Sequence, residues 1–313
     1  MKKGSTGGVA LLLLLLTALG FSIYLLYLNL PTPPKEYAIN SVNGFGNELE
    51  IVDSQSQQFY RNMRFRDKKI SYKIESACDA GRIAQIQEAF EIIEKNTILN
   101  FFPSDDDPEI RVLCSELAPE SENEGYFIAG EGGPSQVINT TLYGVILAGK
   151  ISLFREERCD EVHIALHELL HVLGFDHNEN PSSIMFPTLN CDQTLDGSIT
   201  QDINRLYSVK SYPDLKIVKV NATKSGRYLS FDIEIVNQGL KDAEGVVLSL
   251  YSEDKFIEDF KLEGVAIGSR KILEVSNSKI QRSSKKISFV VDKDNKIDEI
   301  FENNNRLSLI LPD

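Results

Sequence analysis

The sequence predicts an α+β protein, in which a domain of mixed sheet and helices is followed by an all-β sandwich and preceded by one apolar helix. Three observations support this: an uncharged run near the N-terminus, alternating helix and strand patterns in the middle of the chain, and short alternating strands after Pro213. The chain has 313 residues, 42% of them apolar, which is enough for two cores. The predicted segments are a short tail (1–8), a transmembrane signal anchor (9–30), a stalk (31–66), the α+β domain (67–210) and the sandwich (213–313).

The N-terminal run predicts a membrane anchor. Residues 9–30 carry no charge, and as a helix they would be about 33 Å long, against about 30 Å for the hydrocarbon core of a bilayer. Lys2 and Lys3 precede the run and no basic cluster follows it, so we expect a single-pass cell-membrane protein with its tail in the cytoplasm and the remaining chain outside. Ala18-Leu19-Gly20 offers a cleavage site, which leaves secretion after signal cleavage as the alternative. Cleavage there would leave an apolar N-terminus, which favours the uncleaved anchor.

The charge balance excludes one class of function. Lys and Arg number 33 against 46 acidic residues, which gives a formal net charge of −13. A nucleic-acid-binding protein needs a basic stripe or patch, and the sequence has none. Nucleic acid is therefore not expected as a partner.

The middle of the chain alternates between strand and helix patterns. The segment before it, residues 31–66, begins with three prolines in four positions and continues polar, which is typical of a stalk. The alternation predicts a twisted mixed sheet backed by two helices, with an exposed edge strand between residues 127 and 147. The clearest predicted elements are strands over 70–74, 110–113 and 144–154 and a helix over 79–95.

All four histidines of the chain lie within fifteen residues, at His163, His167, His171 and His177. On a helix, residues four apart stand one above the other, so His167 and His171 can place two ring nitrogens on one metal ion. Gly174 can end that helix in the left-handed conformation, which lets His177 return as the third ligand. His163 lies one turn earlier, where a histidine is more often packed or solvated, and we do not expect it to be a ligand.

Three histidine ligands leave one position of a tetrahedral zinc open for water, as in catalytic rather than structural sites. Glu168, next to His167, can reach that water without binding the metal, as a general base must. Zinc lowers the pKa of its water from about 15.7 to roughly 7, so Glu168 can take the proton as hydroxide attacks a peptide carbonyl and then pass it to the leaving amine. One catalytic zinc is expected.

Downstream, the string Ser183-Ile184-Met185-Phe186-Pro187 follows His177 closely. With this string, the histidine motif resembles that of the metzincin metallopeptidases, and a helical pattern over residues 199–207 makes the chain most similar to the matrixin branch. The resemblance implies a zincin-like fold, endopeptidase activity, an edge strand that pairs with extended substrate, and Met185 as a packing floor beneath the imidazoles. No further histidines exist for a second, structural zinc, and the first cysteine, Cys78, lies too late for a latency cysteine.

Four cysteines on an exported chain suggest two disulfides, with three pairings open. Spacing favours Cys159–Cys191, which would brace both sides of the zinc site, and this leaves Cys78–Cys114. Free buried thiols are the other interpretation. Asn139 and Asn221 begin glycosylation sequons, which are compatible with export.

After Pro213 the sequence predicts an all-β sandwich of about 100 residues. The strings Val236-Asn237-Gln238-Gly239 and Glu302-Asn303-Asn304-Asn305 resemble the CARDB type of immunoglobulin-like adhesion module, which implies a cell-surface partner. The acidic residues 292–302 could hold calcium, but a solvated turn is the favoured interpretation. The predicted strands cover residues 215–220, 229–236, 246–251, 271–275, 286–291 and 307–311.

Together these patterns predict a membrane-anchored, outward-facing zinc endopeptidase that cleaves extracellular or cell-surface proteins. A contrasting hypothesis is a surface adhesion or scaffold protein whose metallopeptidase domain cleaves nothing, although a dead site has no need to retain Glu168. Hydrolysis of cell-wall peptide is a third hypothesis, which no sequence feature separates from the first.

Overall fold

This computed structural model describes residues 6–28, 34–43, 57–120, 127–155, 159 and 162–312. The helices are α1 (Thr6–Leu28), α2 (Ala80–Asn96), α3 (His163–Val172) and α4 (Gly197–Ser208). The strands are β1 (Glu36–Asn43), β2 (Arg64–Phe65), β3 (Lys69–Ile74), β4 (Asn100–Pro103), β5 (Ile110–Cys114), β6 (Gly130–Asn139), β7 (Gly144–Leu153), β8 (Leu215–Ser225), β9 (Tyr228–Asn237), β10 (Ala243–Ser252), β11 (Lys255–Val265), β12 (Ser269–Lys279), β13 (Lys286–Val291) and β14 (Arg306–Ile310).

Helix α1 covers most of the uncharged N-terminal run, and its large apolar side chains from Leu11 to Leu25 are exposed. Within the part of the chain that the structure describes, no helix is both long enough and apolar enough to cross a bilayer. The transmembrane helix predicted over residues 9–30 is therefore not supported by the structure.

The first domain contains a mixed sheet in the order β2-β7-β5-β3-β4. A sixth strand, β6, lies off this path and also pairs with β7. The pairings of β2, β3, β4, β5 and β7 are parallel, whereas β6 runs antiparallel to β7. Strands are present at 70–74, 110–113 and 144–153, as predicted, and β6 is an edge strand whose only strand partner among the described residues is β7. The predicted α+β class with a mixed sheet is confirmed.

Helix α2 shows why the sequence signals worked locally. Asp79 is its N-cap, and the Asp79 carboxylate accepts a hydrogen bond from the Arg82 backbone N–H at 2.9 Å. Ile86, Phe90 and Ile93 recur at helical spacing and are buried against the sheet. The same core takes up the inner face of α3, with Leu169 and Leu170 fully buried.

The second domain is a sandwich of two antiparallel four-stranded sheets, in the orders β1-β12-β9-β8 and β11-β10-β13-β14. Phe231, Leu248 and Phe289 are among the residues of its core. The predicted sandwich is confirmed, and strands occur at all six predicted places. Strand β11 was not predicted, because charged residues interrupt its apolar pattern and only Phe260, Leu262 and Val265 are buried.

The stalk predicted over residues 31–66 is wrong in two places. Strand β1 pairs with β12 from Glu36↔Ser276 to Asn43↔Ser269, so this segment completes a sheet of the distant sandwich. From Gln58 onward, the chain lies on the first domain, where Gln58 bridges to Phe175 and β2 joins the sheet. Residues 31–33 and 44–56 lie outside the described residues.

Candidate metal centre

Helix α3 brings His167 and His171 to the same side, one turn apart, and a tight reversal returns His177 to them. The Nε2 atoms are 3.0 Å apart for His167 and His171, 3.2 Å for His171 and His177, and 3.3 Å for His167 and His177. Tetrahedral zinc with Zn–N bonds of about 2.0–2.1 Å places its nitrogen ligands roughly 3.3–3.4 Å apart. The three imidazoles therefore form a triangle of the size that one zinc ion requires.

Gly174 makes the reversal possible. Its φ of +98° lies in the region that favours glycine, and a Cβ there would lie 2.7 Å from Met63 Cγ. The Gly174 N–H donates to His171 O at 2.9 Å, and the chain then turns so that the His177 N–H donates to Asp176 Oδ1 at 2.7 Å. Gly174 thus has the role that the sequence suggested.

The hydrogen bonds of two rings fix their tautomer. His167 Nδ1 lies 2.6 Å from Ile184 O, and His171 Nδ1 lies 2.8 Å from Phe175 O. Because a carbonyl oxygen only accepts, each Nδ1 carries the proton, and each Nε2 presents a lone pair toward the centre of the triangle. The unprotonated Nε2 atoms of His167 and His171 lie 3.0 Å apart, and a bound cation would remove the repulsion between their lone pairs.

Burial also keeps the rings neutral, which is the metal-binding form. It lowers the pKa of His167 to about 3, with the neighbouring His171 adding to the effect. Burial likewise lowers the pKa of His171 and that of His177. Among the described residues, these three histidines are the only cluster of three or more His, Cys, Asp or Glu side chains placed to hold a metal ion.

Glu168 follows His167 directly on α3 and is only 6% exposed. Burial raises the pKa of Glu168 to about 8, and the charge of Glu131 acts in the same direction, while the Gly132 N–H donates a hydrogen bond to its carboxylate. A Cβ at Gly130 would lie 2.9 Å from Glu168 Oε1, and one at Gly132 would lie 2.1 Å from Glu168 O. Sequence reasoning missed both glycines, although Gly130-Glu131-Gly132-Gly133 is a visible signal for close backbone approach.

Met185 is fully buried in the turn that supports His167. The preceding residue, Ile184, supplies the carbonyl that holds the His167 ring, and the Met185 N–H donates to Ser183 Oγ at 3.0 Å. The string that the sequence singled out therefore positions the His167 ring through its backbone.

Phe59 is a third residue that sequence reasoning missed. Its ring stacks on His171 with centroids 5.7 Å apart and an interplanar angle of 27°. Its backbone N–H donates to Gly174 O at 3.1 Å, and 38% of the residue is exposed. No sequence signal points to it, because the sequence predicts a stalk over residues 31–66.

His163 lies outside the metal cluster. It is 3% exposed, and its Nε2 lies 3.0 Å from Gln193 O, so it links the start of α3 to the loop after the methionine turn.

Both disulfides join the cysteines that spacing favoured. Cys159 is bonded to Cys191, with Cα atoms 5.3 Å apart, and Cys78 to Cys114, with Cα atoms 4.9 Å apart. The first bond ties the segment ahead of α3 to the loop after the methionine turn. The second ties the start of α2 to the end of β5.

The remaining sequence-predicted sites are structurally distinct from the centre. Asn221 is exposed, and its Nδ2 donates to Asp232 Oδ2 at 2.7 Å, whereas Asn139 is half-buried with an Oδ1 that is shielded from solvent. In the acidic stretch 292–302, Asp292 Oδ2 accepts from the Ile297 N–H at 2.7 Å and Glu302 Oε1 accepts from the Glu299 N–H at 3.0 Å. These carboxylates bind backbone, and calcium binding is not shown.

Comparison with known proteins agrees with this architecture. Residues 64–208 match the family model Matrixin, and residues 212–309 match the family model CARDB. A rat (Rattus norvegicus) protein named matrilysin is 42% identical over 52 residues, which are 15% of this chain and 20% of that protein, so the match spans about a fifth of the curated relative.

Two solved structures are similar to parts of the chain. One is high choriolytic enzyme 1, a hatching enzyme zinc-protease from the medaka fish Oryzias latipes, with 16% identity, 52% of this chain and 99% of that chain covered, and a TM-score of 0.32. The other is a CARDB domain from Pyrococcus furiosus in complex with di-metal ions, with 17% identity, 32% of this chain and 94% of that chain covered, and a TM-score of 0.28. Residues 64–208 are therefore similar to the matrixins, and residues 212–309 are similar to CARDB domains.

Proposed function

We propose that this protein is a zinc-dependent endopeptidase that hydrolyses peptide bonds of extracellular or cell-surface proteins. The observation that carries the proposal is the pairing of two features on α3. Three neutral imidazoles converge at zinc-ligand distances, and the Glu168 carboxylate lies at the next helical position after the first of them. A purely structural zinc needs four protein ligands and no adjacent carboxylate.

His167, His171 and His177 would hold the ion. When bound, zinc acidifies a water molecule and polarises the carbonyl of the scissile bond. The carbonyls of Ile184 and Phe175 orient the rings of His167 and His171 and favour the tautomer that binds metal.

Glu168 would serve as general base and then as general acid. Its carboxylate takes the proton of the attacking water and delivers it to the nitrogen of the leaving amine. The hydrogen bond from the Gly132 N–H aims the carboxylate. The missing side chains allow β6 to lie against the side chain of Glu168 at Gly130 and against its backbone at Gly132.

The substrate would bind as an extended strand along β6. This strand pairs with β7 on one side, and among the described residues no strand covers the other side. Since main-chain hydrogen bonds supply this kind of recognition, broad sequence specificity is expected.

We propose that the protein acts outside the cell. Two disulfides favour an oxidising compartment. The uncharged run over residues 9–30 is the proposed membrane anchor, with a cleaved signal peptide as the alternative. Protease treatment of intact cells should digest the sandwich, and a sandwich that stays protected would overturn the outside location.

The activity can be tested on residues 34–313, which keep β1, with a peptide library read by mass spectrometry. The purified protein should contain about one equivalent of zinc, cleave within peptides, lose activity on chelation and regain it with zinc. His177→Ala should retain less than one equivalent, whereas His163→Gln, which alters the histidine outside the cluster, should retain one. One equivalent of zinc without any cleavage would favour the scaffold hypothesis instead.

A further inference from the structure

The hairpin of β6 and β7 has two apolar faces, and each packs against a different domain. Ile146 belongs to the core of the first domain, and the partly buried Val137 packs against that core. Val145, which is fully buried, packs in a separate cluster with Leu240 and Ile267 of the sandwich. Successive residues of a strand point to opposite faces, so Val145 and Ile146 necessarily face different partners. The hairpin is therefore shared between the two domains.

The turn of this hairpin is also hydrogen-bonded into the sandwich. Thr140 Oγ1 donates to Gln238 O at 3.0 Å, and Thr141 Oγ1 donates to Gln238 Oε1 at 3.0 Å. Gln238 Nε2 donates to Asp214 Oδ2 at 2.9 Å, and Asp214 is fully buried. Thr140 and Gln238 are 2% and 4% exposed, so water does not compete for the bond between Thr140 and Gln238.

Gly268 of the sandwich lies directly against the hairpin. A Cβ at this position would lie 2.3 Å from Ile138 Cγ2 on β6, well inside a normal contact distance. The absence of a side chain at Gly268 thus sets how near β6 can approach the sandwich.

The other end of β6 lies against Glu168, through Gly130 and Gly132. Thr140 follows Gly132 by eight positions, which corresponds to about 26 Å at roughly 3.3 Å per residue. A rotation of the hairpin by about 2° at its turn would move the Gly132 end by about 1 Å. A displacement of this size at a catalytic group can cost about a hundredfold in rate.

We propose that the sandwich is a structural part of the catalytic unit, which fixes the angle of the β6–β7 hairpin against α3. Gln238 and Gly268 are its positioning residues. The inference rests on the proposed peptidase function. A module that served only to recruit a partner would need neither a shared apolar cluster nor buried hydrogen bonds to the active-site hairpin.

The test compares two glycine substitutions in residues 34–313. Gly268→Ala adds the Cβ that meets Ile138, at φ +64°; Gly226→Ala adds a Cβ to another sandwich glycine of φ +60° that has nothing within 4 Å. The backbone strain is matched, so only the push on β6 differs. At one equivalent of zinc, Gly268→Ala should lower kcat/KM by about tenfold and accelerate amide hydrogen exchange in β6. Gly226→Ala should leave both within about twofold, and Ile138→Ala should restore kcat/KM to Gly268→Ala.

A second pair of variants keeps the inference testable if Gly268→Ala does not fold. Gln238→Leu removes the side-chain bonds to Thr141 and Asp214, whereas Ser284→Ala removes a buried 2.7 Å hydrogen bond to Ser252 away from the hairpin. Equal kcat/KM and equal β6 exchange within each pair would overturn the inference. A different outcome separates the two proposals: neither the wild type nor any variant cleaves peptide, but amide exchange in β6 accelerates only in Gly268→Ala and Gln238→Leu. The proposed function would then be wrong, and the coupling of hairpin and sandwich would stand.

Discussion

Replacing Gly132 by alanine should uncouple β6 from the catalytic helix. The added Cβ would lie 2.1 Å from Glu168 O, whereas a carbon and a carbonyl oxygen normally approach to about 3.3–3.6 Å. The strand and α3 must therefore separate by about 1.2 Å. Overpacking of this kind costs about 1–3 kcal/mol of stability, and a shift of about 1 Å at a catalytic group costs about a hundredfold in rate.

The assay is kcat/KM on a fluorogenic peptide, with zinc content measured on the same samples. Gly133→Ala is the matched control, because this neighbouring glycine of the same strand has nothing within 4 Å of an added Cβ. We expect Gly132→Ala to lose about a hundredfold in kcat/KM with zinc retained, and Gly133→Ala to stay within about threefold. Equal activities of the two variants would refute the argument that backbone contact between β6 and Glu168 aims the carboxylate.

Three further predictions concern stability. Removing zinc should lower the free energy of unfolding by about 4 kcal/mol relative to zinc at a thousand times its Kd, and an unchanged melting temperature after chelation would contradict a histidine-bound metal. Cys159→Ser with Cys191→Ser opens a loop of 32-residue separation and should cost about 3–4 kcal/mol in denaturant titration; a loss below about 1 kcal/mol would contradict the bracing role. Burial raises the pKa of Glu299 from 4.5 to about 7, so the neutral carboxyl is favoured in the folded sandwich. The Glu299 carboxyl therefore adds about 3 kcal/mol to the free energy of unfolding below about pH 4.5, and this stabilisation is lost as the pH rises toward 7. Glu299→Gln should flatten this part of the curve of stability against pH.

The candidate metal centre could be predicted because its signals are local. His167, Glu168 and His171 lie on consecutive turns of one helix, where spacing in sequence translates directly into spacing in space. Gly174 ends that helix through its own conformational freedom. Because the interval from His177 to Met185 is short, the chain must turn back toward His167 soon after the third histidine.

The contacts that could not be predicted join residues distant in sequence. Strand β1 pairs with β12 more than 200 residues later, and a polar segment beside three prolines carries no signal for that pairing. Phe59 was hidden for the same reason. Strand β11 follows a turn in which Glu253 and Asp254 have φ of +49° and +58°. Asparagine or glycine usually occupies such positions, so the sequence gives no signal for this turn.

The central claim is that Glu168 moves the proton in a reaction supported by three histidine ligands. It is tested most directly by comparing Glu168→Gln with the wild type at equal zinc occupancy, since this change removes the base and keeps the shape of the side chain. General acid–base catalysis contributes about 10²–10⁴-fold, so we expect one equivalent of zinc in both proteins and a kcat lower by that factor in the variant. A Glu168→Gln protein that cleaves peptide as fast as the wild type would contradict the account.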